Sequence, residues 1–397
     1  MRSIESISTY REENKRRYII NWIAVVILMI FYAGTWLIPM FYHVTERYNT
    51  SIIFVCLGIL FLNNVNWTGA LLTFEREIWV LGIACVAALV NLFIIHSNKG
   101  CFLIIANLLL LWYLCDKVRL DGRQLEFMNA VFVFVFLIWA FKDLAFSYNS
   151  NTGASVTTFT FFCAMIFFTR ISRKKEIYGL LVVFFVIRLI NLILWHLARG
   201  AFLALMLFLL FYYVVPKGWW VSKKIFGGLV YFSTFGSIVF VFSYVTLAST
   251  GVNFKMPFFY KNLFSGREQI WMEIWNKLKD HILTGIGSGY ALESFFEYNI
   301  HNVMYDILAV HGIIVFALSL YILIRKMLMM RERFMSVTGE PSFQKVLAAS
   351  GIFAIAIESF IDMDFMWADY SPVVLFLSLI VFEGGPLGES VNGKRKN

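Results

Sequence analysis

Apolar runs of roughly twenty residues recur along the chain, separated by short stretches that carry most of its charges. Each run is about long enough to cross a bilayer as a helix. The pattern therefore predicts an all-α polytopic membrane protein, with about twelve transmembrane helices in a single integral membrane domain that covers residues 1–397. The predicted spans lie near residues 18–38, 50–72, 77–96, 100–115, 126–146, 153–169, 177–197, 200–215, 225–247, 302–324, 345–361 and 370–383.

The distribution of basic residues predicts the orientation of these spans. Only 15% of the residues are charged, and 34 Lys and Arg outnumber 25 Asp and Glu. The basic residues concentrate in alternate loops such as 169–176 and 325–334, as expected of cytoplasmic loops. Both termini are then cytoplasmic, and the net charge of +9 indicates topology and no nucleic-acid partner.

The remaining composition argues against a signal peptide and against a metal or disulfide framework. The first run, 18–38, is too long for a signal peptide, so we expect a retained span. The five cysteines lie in or at the ends of apolar runs without a C-x-x-C spacing, and predict small buried side chains. The outer histidines lie on scattered loops without the spacing of metal ligands.

One long outside loop, 249–301, separates the ninth and tenth predicted spans and has helical periodicity. Ser265 and Glu268 have the spacing of a capping box, which predicts an amphipathic helix over about 266–283. Trp271 and Trp275 on its apolar face suit the headgroup region of the membrane. A helix that lies on the membrane for packing alone is the simpler interpretation.

The start of this helix suggests a binding site for an anion. The first turn of a helix has unsatisfied N–H groups and a partial positive charge, so Arg267 is unfavourable there without an anion. Gly266 would let a ligand approach the backbone closely, and the forked guanidinium of Arg267 suits phosphate. At the membrane surface the anion could be a lipid-linked phosphate.

Two further arginines lie in and before the predicted turn 195–202, "WHLARGAF". Arg199 precedes a glycine in this turn, and Arg188 lies three helical turns earlier, so we expect both on one face. An arginine inside a span is costly and is a functional candidate by default. Two structural alternatives stay open: Arg188 pairs with Asp143 or Glu358, and Arg199 extends to the lipid headgroups.

The outer end of the tenth span supplies a candidate base. His301 and Asn302 stand at this end, and Tyr305 lies one helical turn below His301. Histidine exchanges protons near neutral pH, so His301 can act as a general base; an interfacial histidine without chemistry is the alternative. Four acidic residues cluster near the end of the eleventh span: Glu358, Asp362, Asp364 and Asp369. Three interpretations of this cluster stay open: its members pair with the arginines, hold sugar hydroxyls or form a solvated rim.

Four motifs in order resemble the bacterial O-antigen ligase/polymerase superfamily. They lie mainly within residues 180–325 and read "ARGAF" at 198–202, "SGREQIW" at 265–271, "LTGIGSGY" at 283–290 and "HNVMYDILAVHGI" at 301–313. The resemblance implies a GT-C-like fold and a metal-independent, inverting glycosyltransferase without a cofactor. Its donor would be an undecaprenyl-diphosphate-linked glycan. Arg199 and Arg267 would hold the diphosphate and His301 would serve the acceptor hydroxyl, while Arg188, Ser265, Gly266, Asn302 and Tyr305 would support them. Ala198 stands where the family usually has serine.

Three functional interpretations follow. The first is a polymerase that joins lipid-linked repeat units into O-antigen or capsular polysaccharide on the outer face of the bacterial inner membrane, with a chain-length regulator as a further partner. The second is a ligase that transfers the finished glycan to lipid A core or another acceptor. The third is a polysaccharide-lipid transporter or flippase, which Arg188 inside a span would suit, although the chain shows no internal repeat.

Overall fold

The computed structural model describes residues 2–45, 48–95, 97–142, 150–171, 175–251, 255–256, 259, 262–264, 266–292, 300–334 and 342–383. Within these ranges the predicted all-helical class is confirmed, and extended pairing is limited to an isolated antiparallel bridge between Lys255 and Asn262. The predicted pairing partner Asp143 and the predicted cap Ser265 lie outside the described residues.

The described α-helices follow each other along the chain with short connections. They are α1 (Arg2–Leu37), α2 (Pro39–Thr45), α3 (Asn49–Asn64), α4 (Trp67–Leu72), α5 (Arg76–Ile94), α6 (Lys99–Leu114), α7 (Gly122–Lys142), α8 (Ser150–Ile171), α9 (Lys175–Trp195), α10 (Arg199–Leu209), α11 (Lys217–Val221), α12 (Lys223–Ser249), α13 (Arg267–Leu278), α14 (Val303–Arg333), α15 (Phe343–Glu358) and α16 (Ser371–Phe382). A π-helical turn, Leu210–Val214, continues α10, and a 3₁₀ turn, Ala368–Tyr370, precedes α16.

Seven of the described helices are long and apolar enough to cross a membrane: Lys15–Leu37 of α1, α5, α7, α8, α9, α12 and α14. The other predicted span ranges contain shorter helices, among them α3, α6, α10 with its π-helical turn, and α16 with its 3₁₀ turn. The chain is therefore a helical membrane protein, and the count of twelve spans remains a prediction.

Asparagines explain why the second predicted span, 50–72, is divided. The side chain of Asn66 accepts a hydrogen bond from the backbone N–H of Gly69 and caps α4, so a new helix starts there. At the end of α3, Asn63 donates to the side-chain oxygen of Asn21 at 2.8 Å. Asn64 donates to the same oxygen at 2.8 Å, and these amides fasten α3 to α1.

Aromatic side chains build the core between α7, α8, α9 and α10. Phe136 contacts Phe161 at 5.4 Å and Phe185 at 5.0 Å between ring centroids. Phe162 of α8 stacks on Phe208 of α10 at 4.2 Å. These contacts fix α10, whose first turn carries Arg199, against a rigid group of helices.

The predicted tenth span is interrupted in the structure. Gly312 leaves helical geometry inside α14, with φ 78° and ψ 174°. Residues 282–288 fit against this break: Ile286 N donates to Ala309 O at 2.7 Å, and Ile313 N donates to Ile282 O at 2.8 Å. A Cβ at Gly312 would lie 2.3 Å from Leu283 O, so only glycine allows the two backbones to approach this closely. Non-helical backbone inside α14 is thus hydrogen-bonded by neighbouring protein.

Candidate functional site

The turn between α9 and α10 places Arg199 and corrects the expectation for Arg188. Helix α9 ends at Trp195, Leu197 adopts a left-handed φ of 53°, and α10 begins at Arg199. The expected common face requires one continuous helix, so it is wrong. Arg188 Nε instead donates to Ala140 O at 2.7 Å, which links α9 to α7.

Arg199 points toward the long loop. Its Nη1 donates to the backbone oxygen of Asn262 at 2.8 Å and to that of Leu263 at 3.5 Å. The Tyr244 hydroxyl donates to the same Leu263 oxygen at 2.8 Å. Burial, followed by the positive charge of Arg267, lowers the pKa of Arg199. The two guanidiniums are thus close enough to repel one another.

Arg267 occupies the first position of α13, as predicted, but the helix is capped differently. The N-cap is Gly266, in a left-handed conformation with φ 95°. The Glu268 carboxylate accepts a hydrogen bond from Gly266 N at 3.1 Å. Arg267 is half-buried and has no hydrogen bond or ion pair within the described residues. Its charge nevertheless acts on Arg199, Glu358 and Asp362.

Helix α13 is shorter and more deeply packed than expected. It ends at Leu278, because the chain turns at 279–285 and Gly285 N bonds back to His281 O at 2.7 Å. Trp271 is only 1% exposed, so its side chain packs inside the protein and does not contact lipid headgroups. Its Nε1 donates to Ile300 O at 2.6 Å. Trp275 is partly buried and packs edge-on against Phe242 at 5.3 Å.

His301 stands just before α14 with a strained backbone. It has a positive φ of 54°, which is rare for a residue with a side chain. Because α14 begins only at Val303, the expected helical alignment of His301 with Tyr305 does not occur. The Tyr305 hydroxyl instead donates to Trp271 O at 3.0 Å. Tyr305 therefore joins α14 to α13 and does not line up with His301.

The His301 side chain pairs with a carboxylate from the loop after α15. Its Nδ1 lies 3.5 Å from Asp362 Oδ1, and the imidazole remains 26% exposed. Burial alone would raise the pKa of Asp362, but the hydrogen bond and charge of His301, together with Arg267, outweigh it and lower the pKa. Asp362 is thus an ionised partner that orients His301 and leaves its Nε2 for another group.

Asn302 holds this pair in place. It caps α14 by accepting from Tyr305 N at 2.9 Å. Its amide donates to Phe360 O at 2.9 Å, and its oxygen accepts from the Ser237 hydroxyl at 2.8 Å. Asn302 therefore ties α12, α14 and the loop carrying Asp362 together, and it is fully buried.

The acidic residues near Asp362 do not form a solvated rim. Glu358 is 0% exposed and Asp364 is 8% exposed. Burial, followed by the negative charge of Asp362, raises the pKa of Asp364. A Cβ at Gly200 would lie 2.5 Å from Glu358 Oε1 and 3.9 Å from Asp362 Oδ2. A side chain at position 200 would clash with Glu358, which explains why glycine follows Arg199. Both Glu358 oxygens lack hydrogen-bond partners among the described residues, so the expected contact of Glu358 with Arg188 does not form.

The site therefore joins two arginines, a helix start and a histidine–aspartate pair. Sequence analysis proposed the arginines and His301, but did not connect His301 to Asp362, which lies 61 positions later. The acidic cluster near the end of α15 was the available signal. Within the described residues, no group of three or more His, Cys, Asp or Glu side chains is arranged to hold a metal ion.

Comparisons with known proteins agree with the motif order. Searches of curated proteins and of solved structures found no match. The family model described as O-antigen ligase matches residues 183–320, a range that contains Arg199, Arg267 and His301. Members of that family are glycosyltransferase-like enzymes that act on a lipid-linked glycan and an acceptor. The match of residues 183–320 to this family model supports the resemblance of the chain to the bacterial O-antigen ligase/polymerase superfamily.

Proposed function

We propose that the protein is a glycan polymerase of the bacterial inner membrane that joins undecaprenyl-diphosphate-linked repeat units on the outer face. The observation that supports this most strongly is the half-buried Arg267, which stands at a helix start without a hydrogen bond to any described residue, while its charge repels that of Arg199. Two neighbouring guanidiniums that repel one another favour a ligand with more than one negative charge, such as a diphosphate.

The donor diphosphate would bind between the starts of α10 and α13. Neither helix has a side-chain cap, and the first turn of a helix has N–H groups without partners inside the helix. The guanidiniums of Arg199 and Arg267 would share the phosphate oxygens. When the bond from the sugar C1 to the diphosphate breaks, its electron pair goes to the phosphate oxygen. The arginines would stabilise that developing charge.

The acceptor hydroxyl would bind at His301. With Nδ1 facing Asp362, Nε2 is the nitrogen that can take the proton as the hydroxyl oxygen attacks C1. The ionised Asp362 stabilises the imidazolium formed in that step. Attack opposite the leaving diphosphate would invert the anomeric centre, and the residues assigned here would perform the transfer without a metal ion or a cofactor.

The orientation of the site follows from the distribution of basic residues. The alternation of Lys- and Arg-rich loops favours cytoplasmic termini and an extracytoplasmic loop 249–301. Arg199, Arg267 and His301 would then face the side on which lipid-linked glycans are assembled. External cysteine labelling should reach position 151 and not position 174; labelling of 174 in intact cells would contradict this orientation.

A ligase is the second candidate, because the matching family model is described as O-antigen ligase. Both activities need the same diphosphate and base, so they differ only in the acceptor. Purified protein should be given a lipid-linked repeat unit, first alone and then with a lipid A core acceptor. A ladder of products from the donor alone supports polymerisation, whereas product formed only with the separate acceptor supports a ligase. No transfer to either acceptor would contradict the proposed function.

A further inference from the structure

One carboxyl side chain of the site is fully buried. Glu358, the last residue of α15, is 0% exposed, and neither carboxylate oxygen has a partner among the described residues. Such groups are rare in folded proteins, because removing a carboxylate from water without compensation is costly. An unsatisfied carboxyl group at this place therefore suggests that its partner is a ligand.

The position of Glu358 connects the two halves of the site. Its Oε1 and the Oδ2 of Asp362 both lie within 4 Å of the point where a Gly200 side chain would begin. Gly200 directly follows Arg199, and the charge of Arg267 acts on Glu358. The carboxyl group thus borders the first turn of α10 on one side and the His301–Asp362 pair on the other.

The surroundings favour different charge states for the two carboxyl groups. Asp362 accepts a hydrogen bond from Met363 N at 3.0 Å and faces His301, so its anion is stabilised. No donor among the described residues meets the Glu358 oxygens with hydrogen-bond geometry, although the adjacent Ser359 hydroxyl favours the anion, and Asp364 and Asp362 are acidic neighbours. Burial and like charge favour the neutral acid at Glu358. Two neighbouring carboxyl groups with opposite preferences are typical of sites that need one base and one donor.

We propose that Glu358 is held as a neutral carboxylic acid whose O–H donates a hydrogen bond to the bound diphosphate. This inference rests on the proposed function, since it assigns a third donor to the same diphosphate. Because Glu358 is fully buried, its contact with the ligand requires a neighbouring side chain to move, and we assign that movement to Arg267, whose charge acts on Glu358. The proton stays on Glu358, and the hydrogen bond strengthens as charge develops on the leaving oxygen.

Two substitutions of Glu358 distinguish its role as a neutral hydrogen-bond donor from a role as a charged partner of Arg267. Glu358→Gln keeps a neutral donor of nearly the same shape, whereas Glu358→Ala removes it. Binding of undecaprenyl diphosphate to detergent-solubilised protein should be within about threefold of wild type in Glu358→Gln. It should weaken roughly 10–100-fold in Glu358→Ala, as expected for a hydrogen bond to a charged acceptor. Glu176→Gln, on the exposed start of α9, is the matched control and should bind as wild type does.

The pH dependence provides a second readout. In wild type, binding should weaken at alkaline pH as Glu358 loses its proton, and Glu358→Gln should remove that loss. Equal weakening in the Gln and Ala variants would overturn the neutral donor in favour of an ionised partner for Arg267. Wild-type binding in both would overturn any contact with the ligand. If wild-type protein itself does not bind undecaprenyl diphosphate, the proposed function fails first, so the two failures can be distinguished.

Discussion

Helix α14 carries a charged cluster near each end, and the two clusters are built in opposite ways. Near its last turns, Lys326 is 0% exposed, and its Nζ contacts Glu77 and, at 2.6 Å, Asp116 Oδ1. Arg325 Nε adds a second contact to Glu77 at 3.0 Å. Every charge in this cluster faces an opposite charge, so the cluster fastens α14 to α5 and to the end of α6.

In the cluster at the start of α14, by contrast, the charged groups that the structure describes are not all paired with an opposite charge. Two arginines repel each other, Glu358 has no hydrogen-bond partner among the described residues, and His301 has strained backbone geometry. A protein retains such costs where function requires them. We therefore expect substitutions near Lys326 to reduce stability, and substitutions at the other cluster to reduce activity.

The largest effect is expected at His301. His301→Ala should reduce transfer by about 10²–10⁴-fold, because it removes the general base, while membrane abundance and apparent Tm remain close to wild type. Product formation from a lipid-linked repeat unit at matched protein amount provides the measurement. His43→Ala, an exposed histidine, is the control. Near-normal product from His301→Ala would leave this residue without a chemical role.

The next largest effect is expected when Lys326, the central cation of the cluster near the last turns of α14, is replaced. Lys326→Met should cost about 3–5 kcal/mol of stability, because Glu77 and Asp116 would remain buried without their cation. Apparent Tm in detergent measures the loss, and activity per folded molecule should be unchanged. Adding Glu77→Gln and Asp116→Asn should restore part of the stability. A lower turnover at unchanged Tm would contradict the contrast between the clusters.

At Arg199 the geometry of the donor should matter as well as its charge. Arg199→Lys keeps the charge but loses the forked guanidinium, and should lower transfer by roughly 10²-fold, with Arg199→Ala lower still. Arg123→Ala, an exposed arginine at the start of α7, serves as control. If Lys restores full activity, contact with two phosphate oxygens is not needed.

A smaller effect is expected at Asp362. The pKa of Asp362 is lower in the folded protein than its ordinary value of about 3.8. The pairing with His301 therefore stabilises the folded protein fully above that ordinary value. This stabilisation is lost as the pH falls through the lower pKa of the folded protein. The difference in free energy of unfolding between wild type and Asp362→Asn should therefore shrink as the pH falls into acid. Transfer should fall roughly tenfold near neutral pH, since the imidazolium loses about 1.4 kcal/mol of stabilisation. A stability difference that grows in acid would contradict the ionised pair.

Local patterns predicted much of this molecule and failed where distant segments meet. Apolar runs located the helices, and motif order located Arg199, Arg267 and His301. The burial of Trp271 could not be predicted, because its partner Ile300 belongs to another element. The break at Gly312 likewise depends on the approach of residues 282–288. Helical spacing placed Arg188 beside Arg199 only by assuming that α9 continued beyond Trp195.

The most direct test of a diphosphate site compares Arg267→Ala with Trp271→Ala by apparent Tm, with and without undecaprenyl diphosphate. Arg267 lacks a hydrogen bond within the described residues, so its loss should leave the Tm of the ligand-free protein within a few degrees of wild type. The ligand-induced rise of wild type should disappear. Trp271→Ala should lower the ligand-free Tm, because a fully buried aromatic side chain costs about 3–5 kcal/mol to remove. A full ligand-induced rise in Arg267→Ala would contradict the diphosphate site.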